Sequence, residues 1–354
     1  MKHLGKTPPF HGLRGKPLPG SIAEVRYLSL GGLDQWVMIR GESILNPPLI
    51  LVHGGPGFPE MRLFRCFNAP LEKSFTVVYW EQRGTDKSFD RKIPLSSMTV
   101  EQFIADLDEL VDWVRRRLGK DQVVIYGHSW GSALGVLYAA RFPEKVAAYV
   151  GTGQIGDWPA SELSSYAFVL AEAERRNNRK ALKELRAIGP PPHTYRKLNV
   201  QRKWLLRFVG IARGMSVWKF LRITLGRPES AIWDLPNILR GVMFSGRMWP
   251  EVSALNLMKA VPNLQVPVFF FIGRHDHVVD ARTSVAYFAM LTAPSKTFVW
   301  FEESAHEPPI EEPVKFNTLM VDSVLPATRK HTGNSKSAVQ HRSHWAVSSK
   351  GGRP

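Results

Sequence analysis

The apolar positions of this chain change period several times between residues 20 and 154, and each change marks an element. Residues 23–30 and 35–40 read as strands, with Gly31-Gly32 supplying a hairpin turn between them. Pro48-Leu49-Ile50-Leu51-Val52 and Phe75-Thr76-Val77-Val78-Tyr79-Trp80 are unbroken apolar runs, suited to strands buried on both faces. From Thr99 to Leu118 the period lengthens. Ile104, Leu107, Val111, Val114 and Leu118 recur at three- and four-residue steps, which predicts a helix, and Thr99 with Gln102 predicts a capping box at its start. The β-branched run 122–126 then gives way to a small-residue helical segment, 132–140, and residues 146–150 again read as a strand.

From about 155 to 255 the alternation stops, and the segments are helical, Pro-punctuated and rich in Trp, Arg and Leu. Strands resume at Val266–Ile272 and Thr297–Phe301, and a last helical piece runs from Pro313 to Val324. Strands alternating with helices imply an α/β fold, a mostly parallel central sheet with helices on both faces. The helical stretch reads as an inserted lid over the sheet's carboxyl edge, where such folds place their sites. The expected organisation is an irregular arm (1–19), a core built from 20–154 and 256–326, a helical lid or cap (155–255) and a disordered basic tail (327–354).

Composition narrows the class. The 354 residues are 44% hydrophobic and 22% charged, as in a soluble globular protein. The one cysteine, Cys66, excludes an intrachain disulfide and fits a reducing, cytoplasmic setting. The first residues show no apolar signal region, and Val268–Ile272 is far too short for a transmembrane segment. The net charge of +16 raises nucleic acid as a partner. The excess lies in the tail and between Arg175 and Arg207, without zinc-finger spacing or aromatic RNA-binding signatures, so the expectation is a solvated basic surface and no nucleic-acid partner.

The chemistry centres on Gly127-His128-Ser129-Trp130-Gly131, a G-x-S-x-G pattern between a strand and a helix. Gly127 and Gly131 permit a tight turn that lifts the Ser129 hydroxyl and aims the Trp130 N–H at the same point. A serine nucleophile needs a base, an orienting acid and oxyanion donors. Asp276 follows strand 266–272 and His306 follows strand 297–301, giving the order Ser129, Asp276, His306 with each at a strand's end. Gly55, helped by Gly54, is the expected oxyanion donor beside Trp130, since glycines let backbone N–H groups approach a carbonyl. His275 and His277 flank Asp276, but no metal-binding spacing accompanies them, so neither a metal nor a cofactor is expected.

At this point the chain resembles the α/β-hydrolase superfamily, and within it the proline iminopeptidase (prolyl aminopeptidase) branch. The resemblance rests on His53-Gly54-Gly55-Pro56-Gly57, Trp80-Glu81-Gln82-Arg83-Gly84, Gly127–Ser132, Gly273-Arg274-His275-Asp276 and Ala305-His306. It implies supporting roles for His53 and Arg83. Glu81 and Asp86 depart from the branch's W-D-Q-R-G-x-G-x-S pattern, although Asp tolerates a left-handed turn. His128 departs from G-G-S-W-G-S. The lid also lacks the W-x-x-W-E element near the glutamates that hold the substrate's free amine in that branch. Its acids include Glu162, Glu172, Glu174, Glu184, Glu229 and Asp234, none in a matching motif.

The expected function is a serine hydrolase working through an acyl-enzyme, an aminopeptidase of the proline iminopeptidase type acting on a small-molecule or short-peptide substrate. The alternative is a carboxylesterase on small or lipid-like esters.

Overall fold

A computed structural model describes residues 4–208 and 234–328, together with residues 222, 223, 226 and 229. In chain order the strands and helices are β1 (Ile22–Leu30), β2 (Leu33–Gly41), β3 (Pro48–Val52), α1 (Met61–Asn68), β4 (Thr76–Trp80), α2 (Val100–Leu118), β5 (Val123–His128), α3 (Trp130–Arg141) and β6 (Val146–Thr152). A long helical connection follows: α4 (Trp158–Arg175), α5 (Arg179–Ile188), α6 (Tyr195–Phe208), α7 (Leu235–Ser245), α8 (Trp249–Ser253) and α9 (Leu257–Ala260). The chain then returns through β7 (Val268–Gly273), α10 (Ala281–Met290), β8 (Lys296–Phe301), α11 (Pro308–Glu311) and α12 (Pro313–Leu319).

The eight strands form one sheet in the order β1-β2-β4-β3-β5-β6-β7-β8. The β1–β2 hairpin and the β2–β4 pair are antiparallel, and every later pair is parallel. The apolar runs are buried on both faces, as expected. Ile50, Val52, Val78 and Ile125 join the cluster beneath α2 and α3, whereas Leu49, Leu51, Val77 and Tyr126 join the cluster with Phe64 of α1 and Phe316 of α12. Side chains alternate along a strand, so one continuous apolar run feeds two cores. The β6–β7 connection carries a smaller cluster of its own around Tyr166, Val169, Leu185 and Trp204.

Element ends follow backbone chemistry. β7 begins at Val268 rather than Val266, because Pro267 has no N–H for the ladder, and its carbonyl accepts from Tyr149 instead. Thr99 caps α2 by accepting the Gln102 N–H at 3.2 Å. The expected box is only half made, because the Gln102 side chain donates to Asp106 instead. The last helical piece is α-helical through Leu319, continues as a π turn over Met320–Val324 and ends in a short α-helical turn, Leu325–Ala327. Residues 329–354, most of the expected tail, lie outside the described residues, as does most of 209–233 within the expected lid. Among the described residues, no helix is long and apolar enough to cross a membrane.

Two buried ion networks fix the loops after β4. Arg83 is 1% exposed and grips Asp106 of α2 with two hydrogen bonds, Nε–Oδ2 at 2.8 Å and Nη2–Oδ1 at 2.7 Å, while donating to Gly31 O in the β1–β2 turn. Asp86 holds φ at 41°, in the left-handed region that Asp tolerates, and pairs with Arg62 at 2.7 Å. Glu81 is buried. Desolvation, with Asp86 adding to it, pushes its carboxyl well above the usual carboxylate range, so it sits neutral. Removing one partner of a buried pair strands the other's charge. Arg83→Met is therefore expected to lower the unfolding free energy by about 3 kcal/mol in urea denaturation; a change below about 1 kcal/mol would show that Asp106 is adequately held by Gln35 and Gln102 alone.

Candidate active site

Five neighbouring parallel strands, β3, β5, β6, β7 and β8, send their carboxyl ends to one edge of the sheet. The loops that leave them carry His53–Gly57, Ser129, Gly153, Asp276 and His306. Ser129 stands between β5 and α3 with φ 52° and ψ −120°, a strained conformation for a non-glycine residue. It is held there by its N–H on Thr152 O at 3.0 Å and by its carbonyl, which accepts from Ser132 Oγ at 2.6 Å. The flanking glycines are required by close approach: a Cβ on Gly131 would lie 1.9 Å from Val52 O, and one on Gly127 would lie 2.5 Å from Gly131 O.

The structure brings the three predicted residues of the triad to one place. His306 Nδ1 lies 2.8 Å from Asp276 Oδ2, and both side chains are buried. The other carboxylate oxygen of Asp276 accepts the Val278 and Val279 N–H groups at 2.8 and 3.0 Å. With Nδ1–H committed to Asp276, Nε2 is left as the basic nitrogen. Burial lowers the His306 pKa from its ordinary value, outweighing the Asp276 carboxylate, so the ring rests neutral. The loops carrying the two residues touch: a Cβ on Gly273 would fall 1.8 Å from Ala305 O. Ser129 and His306 both line a cavity of about 470 Å³ whose wall is largely apolar, with Phe58, Leu63, Trp158 and Trp249 among its residues.

The predicted oxyanion donors separate. Trp130 opens α3, so its N–H has no acceptor within the helix. Gly55 lines the cavity with φ 114°. Gly54 does not join them, because its N–H already donates to Glu60 Oε1 at 2.9 Å. His53 and Gln82 brace this loop. Gln82 N–H donates to His53 Nε2 at 3.1 Å, which fixes the proton on Nδ1, facing Gly54 O at 2.9 Å. The Gln82 side chain donates to His53 O and accepts from the Trp130 indole. Burial lowers the His53 pKa despite the nearby Glu60 carboxylate, consistent with this neutral tautomer.

Glu60 and Glu307 escaped the sequence reading, and His128 entered it only as a departure. His128 Nδ1 lies 2.7 Å from Glu60 Oε1, its Nε2 3.0 Å from the His306 carbonyl, and Glu307 Oε2 3.7 Å from that same Nε2. Both acceptors demand a proton, so the ring is an imidazolium. Burial alone would lower its pKa, but Glu307 and Glu60 outweigh this and hold it at about 10. Glu60 sits below the usual carboxylate range; burial opposes this, and the His128 charge and hydrogen bond prevail. Burial pushes Glu307 up to about 8 against the pull of His128, so its carboxyl is mostly protonated at neutral pH. The ligand atoms of Glu60, His128 and Glu307 lie within 4.8 Å of one another. This spacing would suit a cation, but an imidazolium donating through both nitrogens has no lone pair for a metal. The signals in the sequence were a histidine beside the nucleophile and a glutamate directly after His306. Of the histidines flanking Asp276, His277 stacks on Phe168 at 3.6 Å and His275 is exposed.

Fold and site together define a hydrolase of the α/β class. The alpha/beta hydrolase fold family model matches residues 47–313, and the chain belongs to that family. It is 33% identical to a probable aminopeptidase, YbaC, of Bacillus subtilis (strain 168) over 86% of this chain and 97% of that one. It is 26% identical to a proline iminopeptidase of Heyndrickxia coagulans over 78% of this chain and 89% of the other. The solved proline iminopeptidase of Mycobacterium smegmatis shares the fold with a TM-score of 0.60 at 17% identity, covering 86% of this chain and 99% of its own.

The charge states carry a stability consequence. His128 binds its proton more tightly folded (about 10) than at its ordinary 6.5, so its contribution is complete below 6.5 and is lost as pH rises through 10. Glu307, raised from 4.5 to about 8, acts with the same sign between those values. Urea unfolding free energy is therefore expected to fall from pH 6.5 to 10, and to fall less steeply in His128→Gln. Parallel curves for the two proteins would mean that His128 is neutral in the fold.

Proposed function

We propose that Ser129 is the nucleophile of a serine hydrolase, with His306 as general base and Asp276 as the group that orients it. The observation that carries this reading is the 2.8 Å His306–Asp276 contact on the cavity that the strained Ser129 also lines. In the first step the Ser129 proton passes to His306 Nε2 while Oγ bonds to the substrate carbonyl carbon. The carbonyl oxygen, now an oxyanion, takes the Gly55 and Trp130 N–H groups. The carbon–nitrogen bond then breaks, and the amine leaves with the proton from His306. Water repeats the sequence on the acyl-enzyme, bonding its oxygen to the acyl carbon and returning the proton to Ser129. The described helices of the β6–β7 connection, which bring Trp158, Leu198, Val242 and Trp249 to the cavity wall, act as a lid over this machinery.

The substrate class is a short peptide or aminoacyl amide from which the N-terminal residue is released. The relatives named as aminopeptidase and proline iminopeptidase support this, and a cavity of about 470 Å³ has room for a short peptide or aminoacyl amide. The apolar wall also favours a second reading, a carboxylesterase of small or lipid-like esters. A panel of aminoacyl arylamides against short-chain aryl esters separates the two. The expected outcome is arylamide turnover with a requirement for a free amine; turnover of esters alone would overturn the aminopeptidase reading.

Ser129→Ala and His306→Ala are each expected to lower kcat by about 10⁴-fold or more, and Asp276→Asn by roughly 10³- to 10⁴-fold, with unchanged far-ultraviolet circular dichroism. Near-native rates in a folded Ser129→Ala protein, or continued labelling of it by a fluorophosphonate probe, would place the nucleophile elsewhere.

A further inference from the structure

A substrate that enters this cavity with a free amine brings a positive charge into a largely apolar space, where an uncompensated ion is costly. The acids of the β6–β7 connection do not offer compensation: Asp157 accepts from Asn256 and Glu251 from the Val100 N–H, both away from the cavity, and the other six are paired. Glu162 pairs with His193, Glu184 with Lys203, Glu229 with Arg65 and Asp234 with Lys87, while Glu172 and Glu174 hold arginines at the surface. None of these six lines the cavity. The carboxyl side chains that do line it, among the described residues, are Glu60 and Glu307, both from the core.

The two are not equivalent. Glu60 Oε1 already accepts from Gly54 N–H and from His128. Glu307 is 7% exposed, faces the cavity, and its carboxyl receives no hydrogen bond from the described residues; the nearest donor, His128 Nε2 at 3.7 Å, is committed to the His306 carbonyl. A buried carboxyl without a hydrogen bond, aimed into a cavity beside a nucleophile, is an unfilled acceptor. We propose that Glu307, backed by the Glu60–His128 ion pair, holds the free ammonium group of the substrate's N-terminal residue, an assignment that rests on the aminopeptidase reading above.

Charge accounting makes the site distinctive. In the free protein Glu60 is anionic, His128 cationic and Glu307 mostly neutral, so the cluster carries little net charge. The groups acting on Glu307 are His128, which favours its ionisation, and Glu60, Glu311 and Asp276, which oppose it. An arriving ammonium tips this balance: Glu307 ionises, its proton leaves to solvent, and the new ion pair is neutral.

The test uses the full chain carrying Ser129→Ala, so that ligand is bound and not cleaved. Titration calorimetry with L-alaninamide, and with its desamino analogue propionamide, is run at pH 7 in two buffers of different ionisation enthalpy. Alaninamide is expected to bind more tightly than propionamide and to release close to one proton per site. Adding Glu307→Gln should weaken alaninamide by roughly tenfold or more and abolish the proton release, while propionamide affinity moves far less. Adding Glu307→Asp instead, which keeps the charge, should retain the proton release and part of the affinity. Absence of alaninamide binding, binding without proton release, or equal affinity and proton release with Glu307→Gln would each overturn the assignment. The two readings fail separately. Alaninamide binding with Glu307-dependent proton release, but no cleavage of alanine arylamide by the unmutated protein, would overturn the aminopeptidase reading alone. Cleavage with a Glu307-independent requirement for the amine would overturn the subsite alone.

Discussion

The site depends on how closely α3 passes beneath the end of β3. The backbone at Gly131 leaves no room for a Cβ against Val52 O, and Gly127 is as tightly enclosed by the next turn of the chain. That approach does three things together. It forces Ser129 into a positive φ, it brings the His53–Gly57 loop beside the serine, and it turns the residue before the serine inward, where His128 is 2% exposed. A looser crossing would allow ordinary residues at both glycine positions, but it would separate the hydroxyl from the backbone donors that a tetrahedral intermediate needs.

Bringing His128 inward creates an electrostatic problem that the neighbouring loops solve. A buried imidazolium needs partners for both N–H groups, and it finds the Glu60 carboxylate on one side and the His306 carbonyl on the other. The second contact ties the charge to the backbone of the proposed base. The His128 and His306 rings lie 4.7 Å apart, and the positive charge of the first adds to the burial that keeps the second unprotonated. A general base must be free of its proton when substrate arrives, so the cluster beside the triad contributes to the protonation state of the triad itself.

This division explains what could be read from the sequence. The sheet, the turn at Ser129 and the positions of Asp276 and His306 were legible because each is a strand followed at once by a required residue type, and strand periodicity survives in a single sequence. The bracing of His53 by Gln82 and of Arg83 by Asp106 could not be derived from spacing, because both join segments that meet only through the fold. Glu60 lies on the loop before α1, and nothing local marks its carboxyl as facing His128 across the sheet edge. The expectation for Gly54 missed for the same reason: its N–H is taken by Glu60, a partner six residues on that only the loop's path brings back. Glu307 sits in a run of four glutamates between 302 and 312 besides itself, where position along the chain does not separate a buried acid from solvated ones.

The acids of the β6–β7 connection then take on a physical role. Glu229 and Asp234 are pulled to the core by Arg65, Arg62 and Lys87, cations from the loops and helix that follow β3 and β4. Arg202 runs the other way, from α6 to the Val278 carbonyl beside Asp276, at 2.9 Å. Carboxylates engaged in fastening one part of the chain to another are poorly placed to bind a ligand as well, since each would have to give up a buried cation to do so. On the proposed aminopeptidase reading, recognition of the substrate's ammonium group therefore falls to acids that fasten nothing. Glu307 meets that condition on the cavity wall, and as the residue next to His306 it stands on the same short loop that positions the proposed base.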